Sequence, residues 1–321
     1  RGICDYLDFQ MTYPQVNPSS KTLQFAHLGF DAAIFEIFGT LFSGGELHLI
    51  EEIQRLDAFK TLEYINDNKI NRLFLPYVAL QYLTEEAVAS DRFPMSLTEI
   101  TTGGELLKIT ENIRKFFSNI PNAILKNIYG PTECTVNVTE LVLKGDPYQW
   151  EDIPSIGKEI DACKLWILDK ESRPVAEGDV GELHVEGSCL AHGYLNRPEL
   201  TAEKFIAWTS PEGKQTRIYK TGDLVMKDKD GFYRYKGRED DQVKIRGNRV
   251  EIGEIELTLS KIPWVRQAVV KVDIDAAGQK FLCAYLQLTP ESEWNLTAIK
   301  NILKNSLPDF MIPDFCVSVE E

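Results

Sequence analysis

The sequence predicts an α/β fold in two parts: an α/β sandwich carrying a small antiparallel β region, then a small α+β domain. Three patterns lead there. Through about residue 150, helical apolar periods alternate with short apolar strands, the rhythm of helices packed on a sheet. From about residue 155, short strands follow one another between turns such as Asp230-Gly231, which is an antiparallel pattern. After Asp240 the order becomes helix, strand, strand, helix, a compact module of its own.

Residues 30–42 carry Phe30, Ile34, Ile37, Phe38 and Leu41 on a helical period, so this stripe is expected to face the core. Gly44-Gly45 stops that helix, and residues 46–50 read as a strand. Residues 58–68 are helical, and residues 72–75 form a buried strand ended by Pro76. Residues 97–102 and 123–129 are further core strands running into Gly103-Gly104 and Gly130-Pro131. Strands at 163–168, 181–187, 216–220 and 231–236 make a β-rich subdomain over about residues 155–237. Ile252, Ile255 and Leu259 mark a helix, 268–273 and 281–288 strands, and Leu296, Ile299 and Leu303 a last helix. The charged, turn-rich stretch at Asp240 sets the boundary, giving units 1–239 and 240–321.

The chain has 321 residues, 43% apolar and 26% charged, with 49 acidic against 35 basic residues and a net charge of −14. That is ordinary globular composition, long enough for a sizeable core. Acidity throughout argues against nucleic-acid binding, which wants a basic footprint. No apolar run approaches the roughly 20 residues of a membrane helix, so no membrane partner is expected. The six cysteines form no CxxC pair and no metal-like spacing with the four histidines, which suggests a reduced, cytoplasmic chain. No histidine has a serine or cysteine at triad spacing.

Three segments carry chemistry. Asn-Ile-Tyr-Gly-Pro-Thr-Glu at 127–133 follows a strand, so it is a loop at a strand's carboxyl end, where open α/β sheets bind ligands. It supplies a ring (Tyr129), a hydroxyl (Thr132) and a carboxylate (Glu133), the set a nucleotide, its phosphate and Mg²⁺ require. A plain turn with a capping Thr132 accounts for it equally well. Tyr-Lys-Thr-Gly-Asp at 219–223 places a short acid at a strand edge, able to accept two ribose hydroxyls, although an ordinary Gly-Asp turn is the commoner meaning. Residues 237–256 interleave charges with Gly237, Gly247 and Gly253, as a hairpin entering a helix does; a solvated charge run is the usual alternative.

In this order and spacing the three segments resemble the adenylate-forming superfamily of acyl-CoA synthetases, luciferases and peptide-synthetase adenylation domains. Further matches are Gly181-Glu-Leu, Gly187, Ala-His-Gly-Tyr-Leu-Asn-Arg-Pro at 191–198, Thr201, Phe205, and Leu-Pro-Asp-Phe-Met-Ile-Pro at 307–313. The resemblance covers nearly the whole chain. Phe30-Asp31-Ala32 and Gln-Val-Lys-Ile-Arg-Gly at 242–247 look like the nonribosomal peptide synthetase branch. There the resemblance implies that Asp31 pairs with the substrate's α-ammonium. A buried carboxylate needs such a cation, although a helix cap is as natural for an aspartate.

The resemblance further implies that Asn127 and Tyr129 hold adenine and that Tyr235 contacts the nucleotide. Thr132 meets phosphate, Glu133 meets Mg²⁺, and Asp223 and Arg238 bind the ribose of ATP or AMP. Asp240 is a hinge, and Lys244 acts after the small domain rotates. The side-chain pocket would be lined by Asp31, Ala32, Phe35, Phe74, Thr101, Gly103, Ile128, Val136 and Asn137, which suits a medium-sized hydrophobic amino acid. The implied partner is a peptidyl carrier domain in the same polypeptide, whose phosphopantetheine thiol takes the aminoacyl group. A Gly/Ser/Thr-rich phosphate loop and a catalytic lysine, typical of the family, are expected outside the stretch seen here. Two alternatives stay open: an acyl- or aryl-CoA synthetase, and an inactive nucleotide-binding remnant.

Overall fold

A computed structural model describes residues 2–12, 16–238, 243–245, 247–275, 279–289 and 294–319. The chain forms two compact units, Arg1–Glu239 and Asp240–Glu321.

The first unit opens with helix α1 (Gly2–Thr12), strand β1 (Lys21–Gln24), α2 (Ala32–Phe42), β2 (Glu46–Leu49), α3 (Glu52–Arg55), α4 (Ala58–Asn68) and β3 (Arg72–Pro76). It continues through α5 (Tyr77–Ala89), β4 (Glu99–Gly103), α6 (Glu111–Asn119), β5 (Ile124–Tyr129), β6 (Thr139–Leu143) and β7 (Lys158–Glu159). The seven strands pair in the order β2-β1-β3-β4-β5-β6-β7. The first five run parallel, and β6 and β7 are antiparallel to their neighbours. Leu73, Leu75, Ile100 and Leu125 point to one face and join Leu62, Leu80, Ile113 and Phe116 of the helices in one buried core. The amphipathic α6 begins at Thr110, whose hydroxyl accepts the Ile113 amide at 3.3 Å.

The opposite sheet face receives α2, and here the sequence-based expectation needs correction. Phe38, Leu41 and Phe42 are exposed, whereas Ala32, Ala33, Phe35, Glu36, Gly39 and Thr40 are buried. Apart from Phe35, the buried stripe is made of small or hydrogen-bonded residues. Glu36 is bearable there because the Phe25 and Ala26 amides donate to its carboxylate at 3.1 Å. Thr40 likewise bonds Thr22 across to the sheet at 2.7 Å. Polar satisfaction, invisible to a hydrophobic period, chooses this face.

A five-stranded antiparallel sheet completes the unit: β8 (Cys163–Leu168), β9 (Val180–Gly187), β10 (Phe205–Thr209), β11 (Gln215–Lys227) and β12 (Tyr233–Arg238), with α7 (Pro198–Lys204) before β10. Strand β11 is longer than the sequence pattern suggests. Its first half pairs β10 and its second half β12, while β9 follows its other edge. The β9 register breaks between Lys220 and Leu224.

The second unit has the hairpin β13 (Val243–Ile245) and β14 (Asn248–Val250), then α8 (Ile252–Ser260), β15 (Val265–Ile274), β16 (Lys280–Leu288), α9 (Leu296–Ser306) and β17 (Phe315–Val319). The last three strands form one sheet, with Ile255, Leu259, Ile299 and Leu303 packed on it. No helix among the described residues is long and apolar enough to cross a membrane.

Candidate functional site

Strand β5 ends at Tyr129, and the chain turns through Gly130 and Pro131 into one 3-10 turn over Thr132–Cys134. Gly130 is required by proximity: a Cβ there would collide with the backbone of Val136 and Asn137. Thr135 and Val136 then take left-handed φ values of 59° and 68°, a costly conformation for β-branched residues that clusters at functional sites. The Thr135 hydroxyl donates to the Cys189 carbonyl at 2.7 Å, which helps hold it.

Asp31 precedes α2 in the N-cap position but makes no capping hydrogen bond. Its carboxyl is hydrogen-bonded to Thr132 instead and lies close enough to Glu133 to feel its charge. Burial is the main influence raising its pKa, with Glu133 adding to it and the Thr132 bond opposing it. Among the described residues no basic side chain pairs with Asp31. Glu133 accepts from the Tyr194 hydroxyl at 2.6 Å, and its backbone carbonyl accepts from the Ala191 amide at 2.8 Å.

Asp223 reaches the same turn from β11. The Tyr129 hydroxyl donates to its Oδ2 at 2.5 Å, and Arg238 on β12 donates to its Oδ1 at 2.7 Å. The Asp223 amide donates to Thr221 Oγ1 at 3.0 Å, and that hydroxyl donates to the Leu183 carbonyl at 2.7 Å. Thus Asp31, the 129–133 turn, Asp223 and Arg238 are linked in space although they span more than two hundred positions of sequence. Tyr235, opposite Val225 on β12, packs against the apolar cluster that includes Tyr129.

Asn127 and Tyr129 are both buried beneath the turn. Asn127 is buried and donates to the Ser155 carbonyl at 2.8 Å. The Tyr129 ring is packed among Cys134, Val138 and Leu183, and burial followed by the Asp223 charge pushes its phenol pKa up. These two side chains support the site from beneath. Lys244 lies on β13 of the second unit, opposite Arg249 in register. Asp240 lies outside the described residues.

Of the nine expected pocket positions, Ala32, Phe35, Phe74, Ile128 and Val136 form one buried apolar cluster. Ile160 completes it, and Ala26, Ala162 and Cys163 pack against it; sequence reasoning missed all four. Thr101 is fully buried opposite Phe74. Gly103 is opposite Ile128, whose carbonyl and side chain leave no room for a Cβ. Asn137 is buried and donates to the Thr139 carbonyl at 3.2 Å. Tyr194 and Thr221 were also missed as supporting residues. Both sit inside motifs of the sequence, but only the fold shows what their hydroxyls touch.

The sequence matches the AMP-binding enzyme family over residues 3–195. It is 37% identical to gramicidin S synthase 2 of Brevibacillus brevis over 321 residues, all of this chain and 7% of that protein. It is also 37% identical to tyrocidine synthase 2 of Brevibacillus parabrevis, over all of this chain and 9% of that protein. The chain therefore spans under a tenth of the length of these relatives. Among solved structures it resembles PA1221, a nonribosomal peptide synthetase protein containing adenylation and PCP domains, with a TM-score of 0.82 and 29% identity over 95% of this chain and 51% of that one. The adenylation domain AlmE of Vibrio cholerae, solved with glycyl-adenosine-5'-phosphate, shares the fold with a TM-score of 0.85 at 24% identity, over 100% of this chain and 59% of that one. With the family matched over more than half its length and the motif segments gathered at one site, the chain belongs to the AMP-binding enzymes.

Proposed function

We propose that this chain belongs to the amino-acid-adenylating part of a nonribosomal peptide synthetase. The amino-acid carboxylate attacks the α-phosphate of ATP, forming an aminoacyl-adenylate and releasing pyrophosphate. The observation that carries this is Asp31: a largely buried carboxyl that makes no capping hydrogen bond, pairs with no basic side chain among the described residues, and is hydrogen-bonded to Thr132 of the 129–133 turn. A substrate ammonium would balance it; a fatty acid would leave it unbalanced.

Each group has a task in that reaction. Asp31 holds the α-ammonium, so the carboxylate is presented toward the 129–133 turn. Asp223, fixed by Tyr129 and Arg238, accepts the ribose hydroxyls as a charged acceptor. Thr132 donates to phosphate. Glu133 offers a hard carboxylate oxygen, and Mg²⁺ commonly binds through one or two carboxylates plus phosphate and water, so the residues present fit it. When bound there, Mg²⁺ would neutralise charge on the reacting phosphates. The acceptor of the product is the phosphopantetheine thiol of a peptidyl carrier domain. Rotation about Asp240, bringing Lys244 into play, belongs to the same reading, as does a cytoplasmic setting.

The apolar cluster of Ala32, Phe35, Phe74, Ile128 and Val136 favours a medium-sized hydrophobic amino acid. ATP–pyrophosphate exchange over an amino-acid panel, with the intact protein containing this sequence, tests the proposal. Exchange driven by an apolar amino acid supports it. Exchange driven only by fatty or aryl acids, or none, would sink it.

A further inference from the structure

A second set of buried charges takes no part in that reaction, yet it underlies the apolar cluster. Arg72 and Glu99 are 2% and 0% exposed. Arg72 Nε donates to Glu99 Oε1 at 2.8 Å, Lys126 Nζ lies 3.0 Å from Glu99 Oε2, and it lies 3.8 Å from Glu140. Alternation along a strand puts residues i and i+2 on one face. Arg72 thus shares a face with Phe74, Glu99 with Thr101, and Lys126 with Ile128. Every pocket position on these three strands except Gly103 has a charged residue two places before it. The charges form a floor, and the apolar cluster stands on it.

Arg72 connects the two layers. Its guanidinium carbon lies 4.4 Å from the Phe35 ring centroid, a cation–π contact, and Phe35 is in turn 5.6 Å from the Phe74 ring. For Phe35 to retreat, Arg72 would have to leave Glu99. That would separate a fully buried acid from its base, which is strongly unfavourable.

We propose that Arg72 is a positioning residue that sets the depth of the side-chain pocket, so that the pocket takes a branched aliphatic amino acid and refuses an aromatic one. This rests on the adenylation reading above. An aliphatic side chain ends against Phe35 and Phe74 where they stand. An aromatic one needs Phe35 to withdraw, and the anchored guanidinium blocks the way.

The test is ATP–pyrophosphate exchange in the intact protein with Val, Ile, Leu, Phe, Tyr and Trp. Two variants are compared with the parent: Arg72→Met, and the set Arg72→Leu, Glu99→Leu, Lys126→Leu and Glu140→Gln. Replacing a whole buried ionic network by apolar residues is often tolerated where breaking one partner is not, so the set remains informative if the single variant fails to fold. The expected result is that the aromatic-to-aliphatic ratio of kcat/KM rises about tenfold or more, in the range one pocket contact commands. The change lies in the amino-acid KM, with the KM for ATP unmoved; general loosening of the fold would raise both. An unchanged ratio in a folded variant, or a parent that prefers aromatic amino acids, overturns the pocket-depth proposal alone. A parent that activates no amino acid brings down the adenylation reading and this proposal with it.

Discussion

On the inner half of β3, β4 and β5, Arg72 and Lys126 face Glu99 and Glu140, acid for base. At the outer end of the same sheet, Asp31 and Glu133 lie together, and Asp223 answers to Arg238. Burial raises the pKa of both Asp31 and Glu99, but the outcomes differ. In Glu99 the two cations outweigh burial and hold it below the usual carboxylate range; in Asp31 nothing does, and it stays above. Among the described residues, one acid thus has two basic partners and the other has none. The inner group pairs its charges across the strands, and the outer group is the one to which the proposed reaction assigns the substrate.

Breaking the inner group should have the largest effect. Glu99→Gln leaves two buried cations with one partly exposed acid, and should destabilise the protein by about 3–5 kcal/mol in urea denaturation. A loss within error would mean that the network does not bear on stability. The outer acid should behave oppositely. Asp31→Asn relieves a poorly solvated carboxylate, so the melting temperature of the free protein should hold or rise, while kcat/KM for the amino acid falls about 10²–10³-fold. Parallel loss of stability and activity would erase the contrast.

Glu36, buried with donors from two amides and Gln24 and drawn by the Arg72 charge, falls between the two. Burial raises its pKa from 4.5 to about 7, against the pull of the Phe25 and Ala26 amides. The folded state then binds this proton more tightly than the unfolded state. The stabilisation is complete below about pH 4.5 and disappears as pH rises through about 7, a span corresponding to about 3 kcal/mol. Glu36→Gln should flatten stability against pH over that window; an unaltered slope refutes the assignment. The smallest effect is expected from Tyr129→Phe. It keeps the packed ring but removes the Asp223 bond, and should raise the KM for ATP about tenfold with little change in amino-acid KM, since hydrogen bonds to charged groups contribute about 1.5–3 kcal/mol. Equal changes in both KM values would point to general damage.

Much of this was legible in the sequence, because strands that end in Gly-Pro or Gly-Gly announce themselves and the motif residues are close together in the chain. The helix at 58–68 and the strand at 163–168 were also bounded correctly. What escaped was set by partners far along the chain. The buried face of α2 depends on amides at 25 and 26, the duty of Asn127 on a carbonyl at 155, and that of Tyr129 on Asp223. Arg72, Glu99 and Lys126 sit in segments that read as plain core strands. Their charges find one another only when β3, β4 and β5 are laid side by side.

The register break in β11 has its own arithmetic. From Lys220 to Leu224 the strand advances four positions while its neighbour moves two, from His184 to Glu182. The surplus of two preserves parity, so Val225 returns to the inward side as though nothing had been inserted. Asp223 belongs to that surplus, in a short excursion with Gly222 at a φ of 73°. An acid has thus been spliced into a β-strand in the smallest unit that keeps the weave intact. Losing one residue there would turn the rest of the strand inside out, whereas losing two would keep the alternation and lose the excursion that carries Asp223.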